Sequence, residues 1–244
     1  MSRQLRSELL KLSSTRTTLG LGLGLLALVL LVSLLAGLTV PAADLGRVGN
    51  QRSLLSAGQT ATLFAALVGV LAITTEFRYG TIRSTLLVES RRQRVVWTKV
   101  LASLLVGALF GAVGEGVAFG VGRLVISGRG VPLQMGGREQ LHLVLGTIAV
   151  AALWAALGVA VGAIVRHQVG AIVGLLAWIF VAESLLFALV PSVGRFAPGP
   201  AGRPLAGDIA AHLLTPEQGA ALLVAYVLAL GAAGAALTLR RDVA

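Results

Sequence analysis

Apolar residues run along this chain in long blocks, without the short periodic alternation of a soluble domain. Six blocks are almost free of charge: 19–40, 57–75, 100–122, 141–165, 169–190 and 218–239. Each is close to the roughly 20 residues that an α-helix needs to cross the hydrocarbon of a bilayer. The second block is the shortest and is flanked by polar residues, although 53–75 as a whole carries no charge. Only Arg166, His167 and Gln168 separate the fourth block from the fifth, which predicts a tight helical hairpin. The stretch 3–16 has another pattern. Leu5, Leu9 and Leu12 fall on one helical face, while Arg3, Arg6 and Lys11 can reach headgroups, so an interfacial helix is predicted. A plain extension of the first span is the alternative. With no repeat and no linker, the chain reads as one transmembrane domain, 1–244, all-α, with six spans and an interfacial arm.

Composition strengthens this picture. Of 244 residues, 56% are hydrophobic and 12% charged, against about a quarter charged in soluble domains. A globule this apolar would expose large greasy patches to water, so lipid is the solvent that fits. Glycine is abundant at 31 residues, and pairs four apart recur at 20/24, 107/111, 116/120, 158/162 and 170/174. Small residues so spaced permit close helix crossings in a membrane, but a chain this rich in glycine singles out no particular face. The first apolar run is too long for the core of a cleaved signal peptide and is followed by five more spans. There is no cysteine, which removes disulfides, thiolate metal sites and cysteine nucleophiles. His142, His167 and His212 are scattered, so no metal site is expected, and His142 is placed at the outer end of the fourth span. The net charge of +10 is assigned to loops facing anionic headgroups, with no nucleic acid expected as a partner.

Lysine and arginine give the chain a direction. The arm holds four, the 76–99 loop six, the short hairpin one and the C-terminus two, against seven in the other three loops. Basic residues gather on the cytoplasmic side, which places both termini there. All seven prolines (Pro41, Pro132, Pro191, Pro198, Pro200, Pro204 and Pro216) fall in the loops assigned outside. Proline suits turns between helices, so a second, unrelated signal agrees. The longest of those loops, 191–217, is read as an ordered, non-helical cap.

The richest segment for function follows the second span: Glu76-Phe77-Arg78-Tyr79-Gly80-Thr81-Ile82-Arg83-Ser84-Thr85-Leu86-Leu87, leading to Arg91, Arg92, Arg94 and Lys99. Gly80 can end the spanning helix in a left-handed conformation. Thr81 or Ser84 can then cap a short helix with Ile82, Leu86 and Leu87 on one face. This segment resembles the E-x-R-x-G-T-x-R-x-T-L pattern of ABC-2 type permeases, the transmembrane subunits of bacterial ABC exporters. The arm, six spans, basic first inner loop and long last outer loop resemble that family's plan too. The resemblance implies the ABC-2 (type V exporter-like) fold, with ATPase-coupling positions at Glu76, Arg78, Gly80, Thr81, Ile82, Arg83, Leu86 and Leu87. Ser90 stands where the family often has proline. It further implies a second permease subunit, identical or paralogous, and a place in the bacterial cytoplasmic membrane. Separate ATPase subunits would carry the ATP and magnesium, and the cargo would be a drug, peptide, lipid or similar amphipathic molecule.

No cofactor is expected in the chain itself, and no enzymatic activity. A phosphate loop needs G-x-x-x-x-G-K-[ST], and neither Lys11 nor Lys99, the only lysines, follows such a pattern. Leu55-Ser56-Ala57-Gly58-Gln59 imitates an ATPase signature but lies on the outer side with no phosphate loop. Glu115 and Glu183 lie inside spans, where an unpaired charge costs at least about 2–3 kcal/mol. With Ser184 they are candidates for the substrate pathway. The alternatives are carboxyls bonded to neighbouring helices, or a Glu115–Arg123 pair. An ion-gradient-driven secondary transporter is the competing function. It would favour broken spans and a midplane relay, whereas no proline interrupts the blocks and both glutamates are off-centre. An intramembrane serine protease would need a histidine facing Ser184.

Overall fold

The computed structural model describes residues 2–41, 43–82, 92–208, 210 and 212–240, and every element among them is helical. Helix α1 (Ser2–Ser14) breaks at Thr15, which is extended at φ −78° and ψ 125°, and α2 (Arg16–Thr39) follows. Helix α3 (Val48–Leu55), a 3₁₀ turn (Ser56–Thr60) and α4 (Ala61–Arg78) form one span. Next come α5 (Arg92–Gly128) and α6 (Gly137–Val165). Helix α7 (Gln168–Ala177), a π turn (Trp178–Ala182) and α8 (Glu183–Leu189) form another span. The one-turn helices α9 (Pro191–Gly194) and α10 (Pro198–Gly202) precede α11 (Pro216–Arg240). Among the described residues six helical stretches are long and apolar enough to cross a bilayer, so the protein is a multi-pass membrane protein.

The helices outrun the apolar blocks. The second span reaches back to Val48, and α5 covers 37 residues, about 55 Å. Hydropathy falls at the first charge, but backbone hydrogen bonding continues through arginine and glutamine, which are good helix formers. The 191–217 loop corrects its reading as non-helical. Both of its helices begin on a proline, at the first helical position, where a missing N–H leaves no bond unmade. The spans built on α3–α4 and α7–α8 are interrupted, which the unbroken apolar runs did not suggest.

Helices α4, α5 and α6 form the core. In α6 61% of the apolar window is buried, against 17% in α2 and 11% in the α7–α8 span. Close approach makes this possible. A Cβ added at Gly69 of α4 would run into the Ala155 carbonyl of α6, and one at Gly158 into the Ala66 carbonyl. Gly107 and Gly111 likewise bring α5 against α6, whereas Gly20, Gly116, Gly120 and Gly174 face open space. Val70, Ile73, Val100, Trp154, Leu157 and Leu223 close the packing between α4, α5, α6 and α11.

Two ends result. At the arm end, α1 meets the end of α4 and the start of α5, and the end of α4 meets the α6–α7 turn. That turn is made by Arg166 in a left-handed conformation (φ 58°), whose guanidinium donates to Leu237 O at 2.9 Å. At the far end Gln51, fully buried, stitches two loops together. Its amide donates to Leu45 O and Pro132 O, both at 2.9 Å, and its carbonyl accepts from Gln134 N at 2.8 Å.

Candidate functional site

The arm end contains a buried charge network. Gln4, Glu8 and Lys11 recur at i, i+4 and i+7, one face of α1. That face lies against α4 and α5. Lys99, about two turns into α5, is only 1% exposed. Its ammonium donates to Glu8 Oε2 at 2.6 Å and Ala72 O at 3.2 Å, and lies 2.8 Å from Glu76 Oε1. All three donors of the ammonium are thereby matched. Lys11 closes the ring at 2.9 Å from both Glu8 Oε1 and Glu76 Oε1. Thr98 adds a hydroxyl donated to Gln4 Oε1 at 3.4 Å. Two cations and two anions leave the network neutral, which is how such charges tolerate burial. The bracket joins three elements: the arm, α4 and α5.

Electrostatics of the arm follow. Burial by itself would raise the Glu8 carboxyl, but the charge and hydrogen bonds of Lys99 and Lys11 prevail and hold it below its ordinary value. Burial would lower Lys11, yet its bonds to Glu8 and Glu76 hold it above the usual lysine range.

The positions implied by the resemblance diverge from here. Glu76 belongs to the bracket, and its Oε2 is buried without a partner among the described residues. Arg78 donates to Gln168 Oε1 at 3.2 Å and lies 5.5 Å from the Tyr79 ring centre, against the α6–α7 turn. Gly80 takes φ +70° and ends α4, the left-handed stop expected of it. Thr81 is exposed, and Ile82 turns back into the protein, 2% exposed. Arg83, Leu86 and Leu87, with the cap at Ser84, lie outside the described residues. Glu8, Lys11 and Lys99 were not singled out from sequence as a site. Their signal was available: the arm's one acid, and the chain's only two lysines among many arginines.

The two intramembrane glutamates stand apart. Glu115 is fully buried where the 3₁₀ turn crosses α5, and Gly58 packs so closely that an added Cβ would strike the carboxylate. The Thr147 hydroxyl faces it from α6. Neither group completes a hydrogen bond of ordinary geometry among the described residues. Arg123 is about 12 Å further along α5 and lies over the Phe119 ring instead. The Gly58 of the false ATPase signature is thus a packing position. Glu183 is fully engaged: it accepts from Trp178 Nε1 at 2.7 Å and, through both oxygens, from Gly199 N at 3.1 Å. It pins α10 across the π turn, while Ser184 beside it is exposed on the apolar surface.

A groove of about 380 Å³ opens between α2, α4 and the π turn, lined by Leu28, Thr62, Leu63, Phe180 and, at its rim, Gln59 and Arg203. Among known proteins, no family model and no curated sequence matches the chain.

Proposed function

We propose that the protein is the permease subunit of an ATP-driven exporter of the ABC-2 type. One observation carries this reading: Glu76, at the head of the coupling segment, is tied by the bracket to both the arm and α5. A push on 76–92 is then handed to three elements at once. Of the 20 lysines and arginines, 13 fall in the sequence segments of the arm, the 76–99 loop, the short hairpin and the C-terminus, the side taken as cytoplasmic. Two permease subunits would face each other, each contributing the groove between α2 and the π turn to a path for amphipathic cargo. ATP and magnesium belong to ATPase subunits docked below. The test is co-expression with neighbouring transport genes. An ATPase is expected to co-purify, and its transport-linked turnover to fall on Arg83→Glu or Leu86→Asp. If no protein with a phosphate loop co-purifies and an ion gradient alone drives transport, the proposal fails.

That outcome would favour a gradient-driven transporter. A specific observation speaks for it: the 3₁₀ break of one span lies directly on the buried Glu115 carboxylate. Collapse of the gradient with an ionophore, at constant ATP, separates the two readings.

A further inference from the structure

Beside the bracket lies a cavity of about 410 Å³, walled by α1, the start of α2 and one face of α4. Its polar lining includes Glu8, Lys11 and Glu76 of the bracket, with Thr17, Thr18 and Thr75 among its threonines. Two valences of the bracket are unused here. Lys11, 46% exposed in its side chain, spends two of its three donors on Glu8 and Glu76. Glu76 Oε2 is buried without a partner among the described residues. A second cavity, about 490 Å³, follows α2 from Leu19 through Leu23 to Leu26, facing Val106, Leu109 and Val113 of α5. Apart from Ser13 and Thr18 at its mouth it is apolar, and it descends about 10 Å from the arm end. The two cavities share Leu12 and Thr18.

We propose that together they hold one phospholipid with an amine headgroup, of the phosphatidylethanolamine type. The phosphate takes the third Lys11 donor and the hydroxyls of Thr17, Thr18 and Thr75, since the Thr15 hydroxyl already donates to Lys11 O. The primary ammonium meets the Glu76 carboxylate, which turns Oε2 toward the chamber to take the donor it lacks, and an acyl chain lies in the groove between α2 and α5. Charge decides the headgroup class. The bracket is already neutral, so a zwitterion preserves its balance, whereas an anionic lipid would add an unpaired charge to a half-buried chamber. Position supports a lipid over a soluble metabolite: the polar chamber sits where the arm meets the first span, at headgroup depth, and opens onto an apolar track. The site does not depend on a motor.

The experiment is native mass spectrometry of the intact protein, delipidated and then titrated with single lipids. Phosphatidylethanolamine should bind at one copy per chain, about tenfold tighter than phosphatidylcholine, which has no N–H, or phosphatidylglycerol. Leu109→Trp fills the groove from its exposed side, and Thr18→Trp blocks the junction. Each should weaken retention about tenfold, with the melting temperature in lipid-free detergent unchanged for Leu109→Trp. Equal binding of the three lipids overturns the proposal. So does retention that ignores Leu109→Trp, and so does soluble phosphoethanolamine binding as tightly as the lipid.

Discussion

Lys99 shows how much one side chain can decide. Its 1% exposure would be untenable for an isolated ammonium, and three acceptors, two on α4 and one on the arm, make it possible. Lys99→Met leaves two buried carboxylates with Lys11 as their one cation, and a loss of about 3–5 kcal/mol is expected, read as a lower unfolding midpoint in detergent. Adding Glu8→Gln should return part of it. Lys99→Arg is not a conservative change, because a planar fork cannot address three acceptors converging on one point; it should unfold almost as readily as Lys99→Met. The same scale governs the helix crossings. Gly69→Val would drive a side chain into the Ala155 carbonyl, and overpacking of this kind costs about 1–3 kcal/mol. Gly116→Val, facing open space, should be neutral in the same melt.

At the scale of elements, the arm is a separate helix held by the charge bracket and by Leu5, Leu9 and Leu12 packed against α2, α4 and α5. Glu8 titrates below its ordinary 4.5 and Lys11 above its ordinary 10.5. The lowered carboxyl contributes stability that is full above about pH 4.5 and disappears as pH falls through its folded value. The raised amine contributes stability that is full below about pH 10.5 and disappears as pH rises through its folded value. Arm docking should therefore hold across neutral pH and release at both extremes, measurable as proteolysis near Thr15. Glu183 governs a different element. Glu183→Ala should free the Gly199 amide, and its hydrogen exchange should quicken about tenfold or more, since a lost charged acceptor costs ~1–3 kcal/mol. The existence of six spans and the arm was legible because lipid demands long apolar runs. Gly80 was legible because few residues accept φ +70°. The breaks at Ser56–Thr60 and Trp178–Ala182 were not, because neither carries a proline. Each lies against a residue distant in sequence, Gly58 on Glu115 of α5 for one and Glu183, at the end of the π turn, on Gly199 of α10 for the other. Lys99 was read as the last residue of a loop for a similar reason: hydropathy cannot distinguish a charge in water from one matched inside.

For the whole molecule, orientation is the property most open to direct test. The chain lacks cysteine, so single substitutions can be labelled cleanly. Ser14→Cys at the arm end should react in intact cells only with membrane-permeant maleimides, and Ser192→Cys in α9 should react with impermeant ones. The reverse pattern would invert the topology drawn from arginine and proline.

The bracket also has a place in time. Its last member is residue 99, whereas the Gly69–Ala155 and Gly158–Ala66 crossings need a helix that the ribosome has not yet made. While the fourth span is awaited, α4 and α5 present their small-residue faces to lipid and to any other helix nearby. If they close before α6 is made, the four charges would hold the first 99 of the 244 residues in register until it arrives. A protein without them would hold the same final contacts but would be exposed, during synthesis, to pairing with the wrong helix.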